Sequence, residues 1–260
     1  VLSNNSNITE LNFVLPSKRA GIFLKSTFKS KLEKTTILPR IISIEEFIEE
    51  LSRVNSIDNT NLLFEFYTIY KKAIEKDKAE SFENFAKWGP LLLQDFNEID
   101  RHLVDANYLF SYLTDIKRLE TLLKGEQKTD LILNQVKFYE NFENYYNTLY
   151  SYLLENKIGY QGLQYREAVG NIEWYINNTT DKIVLVGFNA LNNAEETIFE
   201  SLLDNNLAFI YWDIDKLFIE HNPQISTFIN KYKTKWNYFK TNSFNWVSDE
   251  FSSKKNIKII

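Results

Sequence analysis

The chain contains no cysteine, which removes disulfides, thiolate metal ligands and cysteine nucleophiles from consideration. Histidine is nearly absent. His102 and His221 are the only two among 260 residues, so any metal chemistry has to rest on carboxylates. Methionine is missing too, an improbable composition at this length. The seven glycines are scattered, and neither GxxxxGK(S/T) nor GxGxxG occurs. Without a glycine loop to cradle phosphate, the sequence carries no visible apparatus for nucleotide hydrolysis. No apolar run approaches the roughly 20 residues of a membrane span, and no basic-then-apolar segment opens the chain. Cytoplasmic location with no membrane partner is the default expectation. The chain starts at Val1 rather than at methionine, and 256–260 (NIKII) reads as a strand, so both ends are expected to be cuts in a longer polypeptide.

At 44% hydrophobic residues the chain can bury a substantial core, and at about 150 residues per domain its length suits one large or two small domains. The net charge of −5 is unevenly spread. Between Leu11 and Arg40 the basic residues are Lys18, Arg19, Lys25, Lys29, Lys31, Lys34 and Arg40 against Glu33 alone. The last thirty residues carry seven lysines against Asp249 and Glu250, which leaves the middle strongly acidic. A local basic patch can engage phosphate on such a protein, but bulk electrostatics do not favour tight nucleic-acid binding.

Three apolar runs, 11–15 (LNFVL), 182–187 (KIVLVG) and 207–215 (LAFIYWDID), stop in polar residues, and a helical pattern over 194–203 separates the last two. Alternation of this kind predicts an α/β fold with a mainly parallel sheet. Ser17, Lys18 and Arg19, then 187–189, then Asp213 and Asp215, all follow strands, and the fold would set them along one rim. The segment 18–29 is helical by pattern, with Ala20, Phe23, Leu24 and Phe28 on one face. Next comes an extended stretch, 37–43, which Pro39 marks as an edge or irregular strand. Ser43 and Glu46 form a capping box for the helix 44–51.

The segment 55–61 reads as a polar linker, and 62–178 is helical in character. Its apolar stripes run through Leu62, Leu63, Phe66, Ile69, Tyr70 and Ala73, then Phe85, Trp88, Leu92, Leu93 and Phe96, then Val136, Tyr139, Phe142, Tyr146, Leu149 and Leu153. Gly89-Pro90 should kink or restart a helix. So long a crossover has to be a subdomain, giving an interrupted α/β core at 1–54 and 182–260 with a helical insertion at 55–181.

Lys18 and Arg19 begin a helix, where free backbone N–H groups and the helix dipole favour an anion, and Lys25 lies one to two turns on. Asp213 and Asp215 form a DxD pair able to bind a divalent cation through oxygen. Asp95, Glu98, Asp100 and Asp105, with Arg101 and His102 among them, read as a solvated helix face. Tyr160, Gln161, Gly162 and Tyr165 form a loop entering a helix, lining a groove or shaping a turn.

Taken in order, FVLPSKRAGIFL, LPRIISIEEFIEEL, LLFEFYTIYKKA, WGPLLLQDFNEID, IGYQGLQYREAV and VLVGFNALNNAEETIFESLL with IYWDID resemble the N-terminal part of AddB-type recombination proteins of the Bacteroidetes kind, which contain a PD-(D/E)XK nuclease. The resemblance covers nearly the whole chain. It implies a degenerate superfamily 1 helicase module of P-loop NTPase-like type with a large all-helical insertion, and a nuclease near the C-terminus of a much longer polypeptide. On that similarity 16–20 matches the motif that contacts single-stranded DNA in a helicase core, 42–47 the following Thr/Ser-containing segment, and 62–178 the insertion. The stretch 184–189 matches the strand that carries an Asp-Glu pair in active helicases, but Phe188 and Asn189 stand in its acidic region.

The expectation is a non-catalytic scaffold that guides single-stranded DNA, with Ser17, Lys18, Arg19 and Lys25 as its DNA-binding residues. Binding would be weak, the partner an AddA-like helicase/nuclease subunit, and no cofactor is implied for this region, Mg²⁺ belonging to the nuclease domain. Two rivals stand beside it. One is a metal-dependent transferase or phosphohydrolase using Asp213 and Asp215; the other is an interaction module whose helical part docks a partner helicase.

Overall fold

The computed structural model describes residues 8–31, 37–74, 79–123, 130–221, 224–244 and 248–251, without the side chains of 117–123, 130–140 and 221. The strand read at 256–260 and the stripe positions Val136 and Tyr139 therefore lie outside the described residues and side chains. A helical turn, Ile8–Glu10, leads into β1 (Leu11–Leu15), α1 (Lys18–Lys31), β2 (Arg40–Ser43), α2 (Ile44–Ser52), β3 (Asn55–Ser56), α3 (Asn59–Ala73), α4 (Phe82–Phe85) and α5 (Gly89–Arg101). There follow α6 (Ala106–Leu123), α7 (Asp130–Glu155), β4 (Ile158–Gly159), α8 (Gln161–Asn178), β5 (Lys182–Phe188), α9 (Asn193–Asp204), β6 (Ala208–Trp212), α10 (Lys216–His221), α11 (Thr227–Lys235) and α12 (Tyr238–Thr241). Two compact units result, one from Val1–Leu51 with Val169–Ile260 and one from Ser52–Ala168. The polar segments suggest bounds at 55 and 181, whereas the division falls at the last residue of α2 and within α8. Among the described residues no helix is long and apolar enough to cross a membrane.

The first unit is α/β, built on a parallel sheet of order β2-β1-β5-β6. β1 and β5 take the centre because they are apolar on both faces: Leu11, Phe13, Val14, Leu15, Ile183, Val184 and Leu185 are all buried. Pro39 directly precedes β2, an edge strand, where a missing N–H breaks no ladder. The connections β1–α1–β2 and β5–α9–β6 step in opposite directions, so right-handed crossovers put α1 and α9 on opposite faces. Side chains agree. Phe28 of α1 packs with Leu11, Phe13, Leu15 and Val184, while Phe188 meets Phe199 of α9 edge-on at 4.9 Å.

The face of α1 differs from the one its apolar spacing predicts. Gly21, not Phe23, turns inward beside Leu24 and Phe28, and Phe23 is 62% exposed. At about 100° per residue, positions 21, 24 and 28 share one face and Phe23 is rotated away from it. Gly21 lets α1 approach β2 closely: a Cβ there would stand 3.3 Å from Ile41 Cγ2, a tight contact.

The second unit is helical, with an aromatic core. Phe66, fully buried, is ringed by Phe85, Trp88, Phe96 and Tyr145 at centroid distances of 5.2, 6.3, 5.9 and 6.1 Å. The stretch expected as a linker is structured instead. β3 pairs in parallel with β4, and Asp58 caps α3 by accepting from the Thr60 and Asn61 N–H groups at 3.0 Å. Ala73, expected inside, is exposed at the end of its helix. Gly89-Pro90 does restart the chain as α5.

Asp95, Glu98 and Asp105 are exposed, as a solvated face requires, but Asp100 departs from that reading: its side chain is fully buried. Leu92, Phe96 and Asp100 follow one another at four-residue intervals, so the carboxylate lies on the apolar stripe of α5. It accepts hydrogen bonds from the hydroxyls of Tyr146 and Tyr160 and from Arg166 Nε at 2.6 Å. Arg166 also donates to the carbonyls of Ile99 at 3.1 Å and Val104 at 2.6 Å. Burial pushes the Asp100 carboxyl upward against the pull of these donors. The loop at Tyr160 thus completes this network, and the next turn holds α8 to α5: Asn97 Oδ1 accepts the Gly162 N–H at 2.7 Å. A Cβ on residue 162 would overlap the Asn97 carbonyl.

Scarcity of glycine shows at the helix ends, where Arg53, Leu103, Lys157 and Asn206 take the left-handed conformation that glycine adopts without strain. Lys157 is exposed at φ 54°, so Lys157→Gly is expected to stabilise the protein by about 0.5–1 kcal/mol, read as a higher denaturant midpoint at constant slope. A lower midpoint would contradict this account. Asp100→Asn leaves Arg166 without its carboxylate, and is expected to destabilise the helical unit by about 3 kcal/mol in chemical denaturation. A loss under ~1 kcal/mol would mean that the network is not integral to the unit.

Candidate nucleic-acid interface

β1 is followed by a helix and then β2 on one side, while β5 leads to β6 on the other. Chain direction across the sheet therefore reverses between β1 and β5, and a crevice outside their carboxyl ends is the usual ligand position in an open parallel sheet. Pro16 and Ser17 form one wall. The other is Gly187 to Asn189, where Gly187 has φ 80° and the ladder shifts register between Val186 and Phe188. A Cβ built on Gly187 would meet Pro16 Cδ at 3.8 Å.

Ser17 caps α1, its hydroxyl accepting the Ala20 N–H at 3.2 Å. Lys18 and Arg19 occupy the first turn, with no acidic residue there. Lys18 Nζ lies 3.3 Å from Glu46 Oε1, the two side chains being 72% and 39% exposed. Glu46 also closes the expected capping box: it accepts the Ser43 N–H at 2.8 Å, and Ser43 Oγ accepts the Glu46 N–H at 3.3 Å. The Ser43 N–H, with Lys18 beside it, holds the Glu46 carboxyl below the ordinary carboxylate range. Arg19 lies with its guanidinium carbon 5.8 Å from the Phe23 ring centroid. Lys25 is exposed, seven residues beyond Lys18 and so on the same flank of α1.

Glu46 escaped sequence reasoning in this second role. Its capping box was legible, but the ion pair joins two helices that only the sheet brings together.

Where an active phosphate-hydrolysing protein keeps its acidic pair, Phe188 is buried. Asn189 Nδ2 donates to the Asp213 carbonyl at 3.1 Å, and the Asp213 N–H donates to the Phe188 carbonyl at 2.9 Å, so one side-chain and one backbone hydrogen bond tie the ends of β5 and β6 together. Asp213 is exposed; Asp215 is buried and occupied otherwise. Its Oδ1 accepts the Leu217 N–H at 3.0 Å, and its Oδ2 accepts Ser248 Oγ at 2.8 Å and the Phe251 N–H at 3.2 Å. Burial raises the Asp215 carboxyl, and these hydrogen bonds outweigh it, leaving a lowered pKa. Among the described residues no three His, Cys, Asp or Glu side chains converge as a metal site. What the rim presents at α1 is two cations on a first turn that carries no acidic residue.

Glu46 and Asp215 both ionise more readily folded than unfolded. Each adds stability above the ordinary carboxylate range that is lost as pH falls through its lowered pKa. A Glu46→Gln, Asp215→Asn double variant is therefore expected to lose stability less steeply between about pH 5 and pH 1 in thermal melts. Curves parallel to the unchanged protein would contradict the assignment. No protein-family model matches this sequence, and a search of curated proteins finds no relative.

Proposed function

We propose that this chain is a non-catalytic, helicase-like region of an AddB-type recombination nuclease, and that its task is to guide single-stranded DNA along the carboxyl-terminal rim of the sheet. The carrying observation is the basic start of α1 at the reversal between β1 and β5. Lys18, Arg19 and the neighbouring backbone N–H groups suit a phosphate backbone, which every sequence of DNA presents alike. Guidance is favoured over turnover by the neighbouring strand end. An NTPase needs a carboxylate there for Mg²⁺ and a residue to activate water, and a buried phenyl ring with an amide tied to a carbonyl supplies neither. On this reading the motor, the nuclease site and its Mg²⁺ belong to other domains and to an AddA-like partner subunit.

The Lys18–Glu46 pair makes the binding modest. An exposed pair contributes about 0–1 kcal/mol, so phosphate can displace Glu46, but only by competing with it.

A labelled single-stranded oligonucleotide titrated at low salt tests the proposal. Two or three phosphate contacts at about 0.7 each imply a slope of log affinity against log salt near minus two. Lys18→Ala with Arg19→Ala should remove most of the binding. Glu46→Gln, which keeps an oxygen for the capping box while freeing Lys18, should tighten it about two- to threefold. ATP turnover should stay at the buffer level with DNA present. An unchanged titration in the folded double variant, or DNA-stimulated turnover, would sink the proposal.

A further inference from the structure

We infer that Phe23, on the outward face of α1, is a stacking position for a base of single-stranded nucleic acid. The inference rests on the DNA-guiding reading and adds to it a second kind of contact, to bases rather than phosphates. Phe23 and Ile22 stand side by side in sequence, 62% and 68% exposed, while Leu24 and Phe28 of the same helix pack inward. The Arg19 guanidinium 5.8 Å from the Phe23 ring reinforces one aromatic face electrostatically and orients it.

Charge complementarity names the occupant. α1 carries Lys18, Arg19, Lys25, Lys29 and Lys31 and no acidic residue. Among the described residues Lys18 alone of these five has a carboxylate partner. Positions 18, 25 and 29 fall on one flank of the helix, next to Ile22, and positions 19 and 23 lie one above the other beyond it. A line of cations beside an exposed ring matches a strand that presents phosphates on one side and unpaired bases on the other. An anionic membrane would match the charge, but two apolar side chains give it little surface to receive.

The test titrates the 260-residue chain with fluorescent oligothymidylate and with an abasic deoxyribose-phosphate oligomer of equal length. The unchanged protein is expected to prefer oligothymidylate by about tenfold, the size of one base–aromatic stack. Phe23→Ala should erase that preference and leave the salt slope as it was, Phe23→Trp should restore it, and melting temperatures should hold because the ring is exposed. If Phe23→Ala binds oligothymidylate as well as the unchanged protein while the Lys18, Arg19 double variant does not, stacking is overturned and DNA guidance stands. Failure of the unchanged protein to bind either oligomer at low salt overturns both. Phe23-dependent binding to phosphatidylserine vesicles or to an acidic peptide, with no preference for bases, assigns the face to another occupant and overturns the inference.

Discussion

Pairing of β1 with β5 is the contact on which the rim depends. Phe13 and Val14 lie level with Val184 and Leu185, and all four are buried, so neither strand can take an edge without exposing an apolar face. Once both are central, the connections have to leave on opposite sides, and the crevice between their ends follows from that divergence. Gly187 completes it. At φ 80° the chain turns where a side chain would be strained, the ladder shifts, Phe188 goes under α9, and Asn189 is left outside. Closing the sheet around an intervening compact unit costs little extra, because loop entropy grows by only about 0.6 kcal/mol per doubling of length.

The helical unit has a different organising contact. A carboxylate as deeply buried as Asp100 is costly unless its oxygens are filled, and here two tyrosines and an arginine fill them from α7, the turn before α8, and α8 itself. An apolar residue would pack without needing those partners. What Asp100 adds is selectivity among packings, since an alternative register of these helices would strand either the carboxylate or the guanidinium. Asn97, one turn earlier on α5, fixes the entry of α8 through Gly162 in the same way.

Features carried by local pattern were legible in the sequence. Apolar runs marked β1, β5 and β6, Pro39 an edge, Ser43 and Glu46 a cap, and Gly89-Pro90 a restart, whereas β3 and β4 fell in stretches read as a linker and as helix. Features that depend on contacts distant in sequence were not. Asp100 looked like its acidic neighbours because Tyr146, Tyr160 and Arg166 are far along the chain. Asp215 looked like half of a metal site, since its partners Ser248 and Phe251 follow more than thirty residues later. Phe23 was drawn to the inward face by its hydrophobicity, although the position is held by Gly21, whose value lies in having no side chain.

The distribution of acid along the rim decides how firmly an anion could be held. α2 and α9 each carry two glutamates in the first turn, and in both a glutamate closes a capping box, so their positive ends are already answered from within. α1 has none, and its answer comes from Glu46 across the rim, through an exposed pair. An internal carboxylate in α1 would have stayed fixed against its own helix end and repelled phosphate. On the DNA-guiding proposal the exposed Lys18 can leave this pair for a phosphate and return to it, while Glu46 stays in its own capping box. If the rim guides a strand as proposed, the second arrangement is the better matched, because a moving strand needs contacts that exchange at low cost.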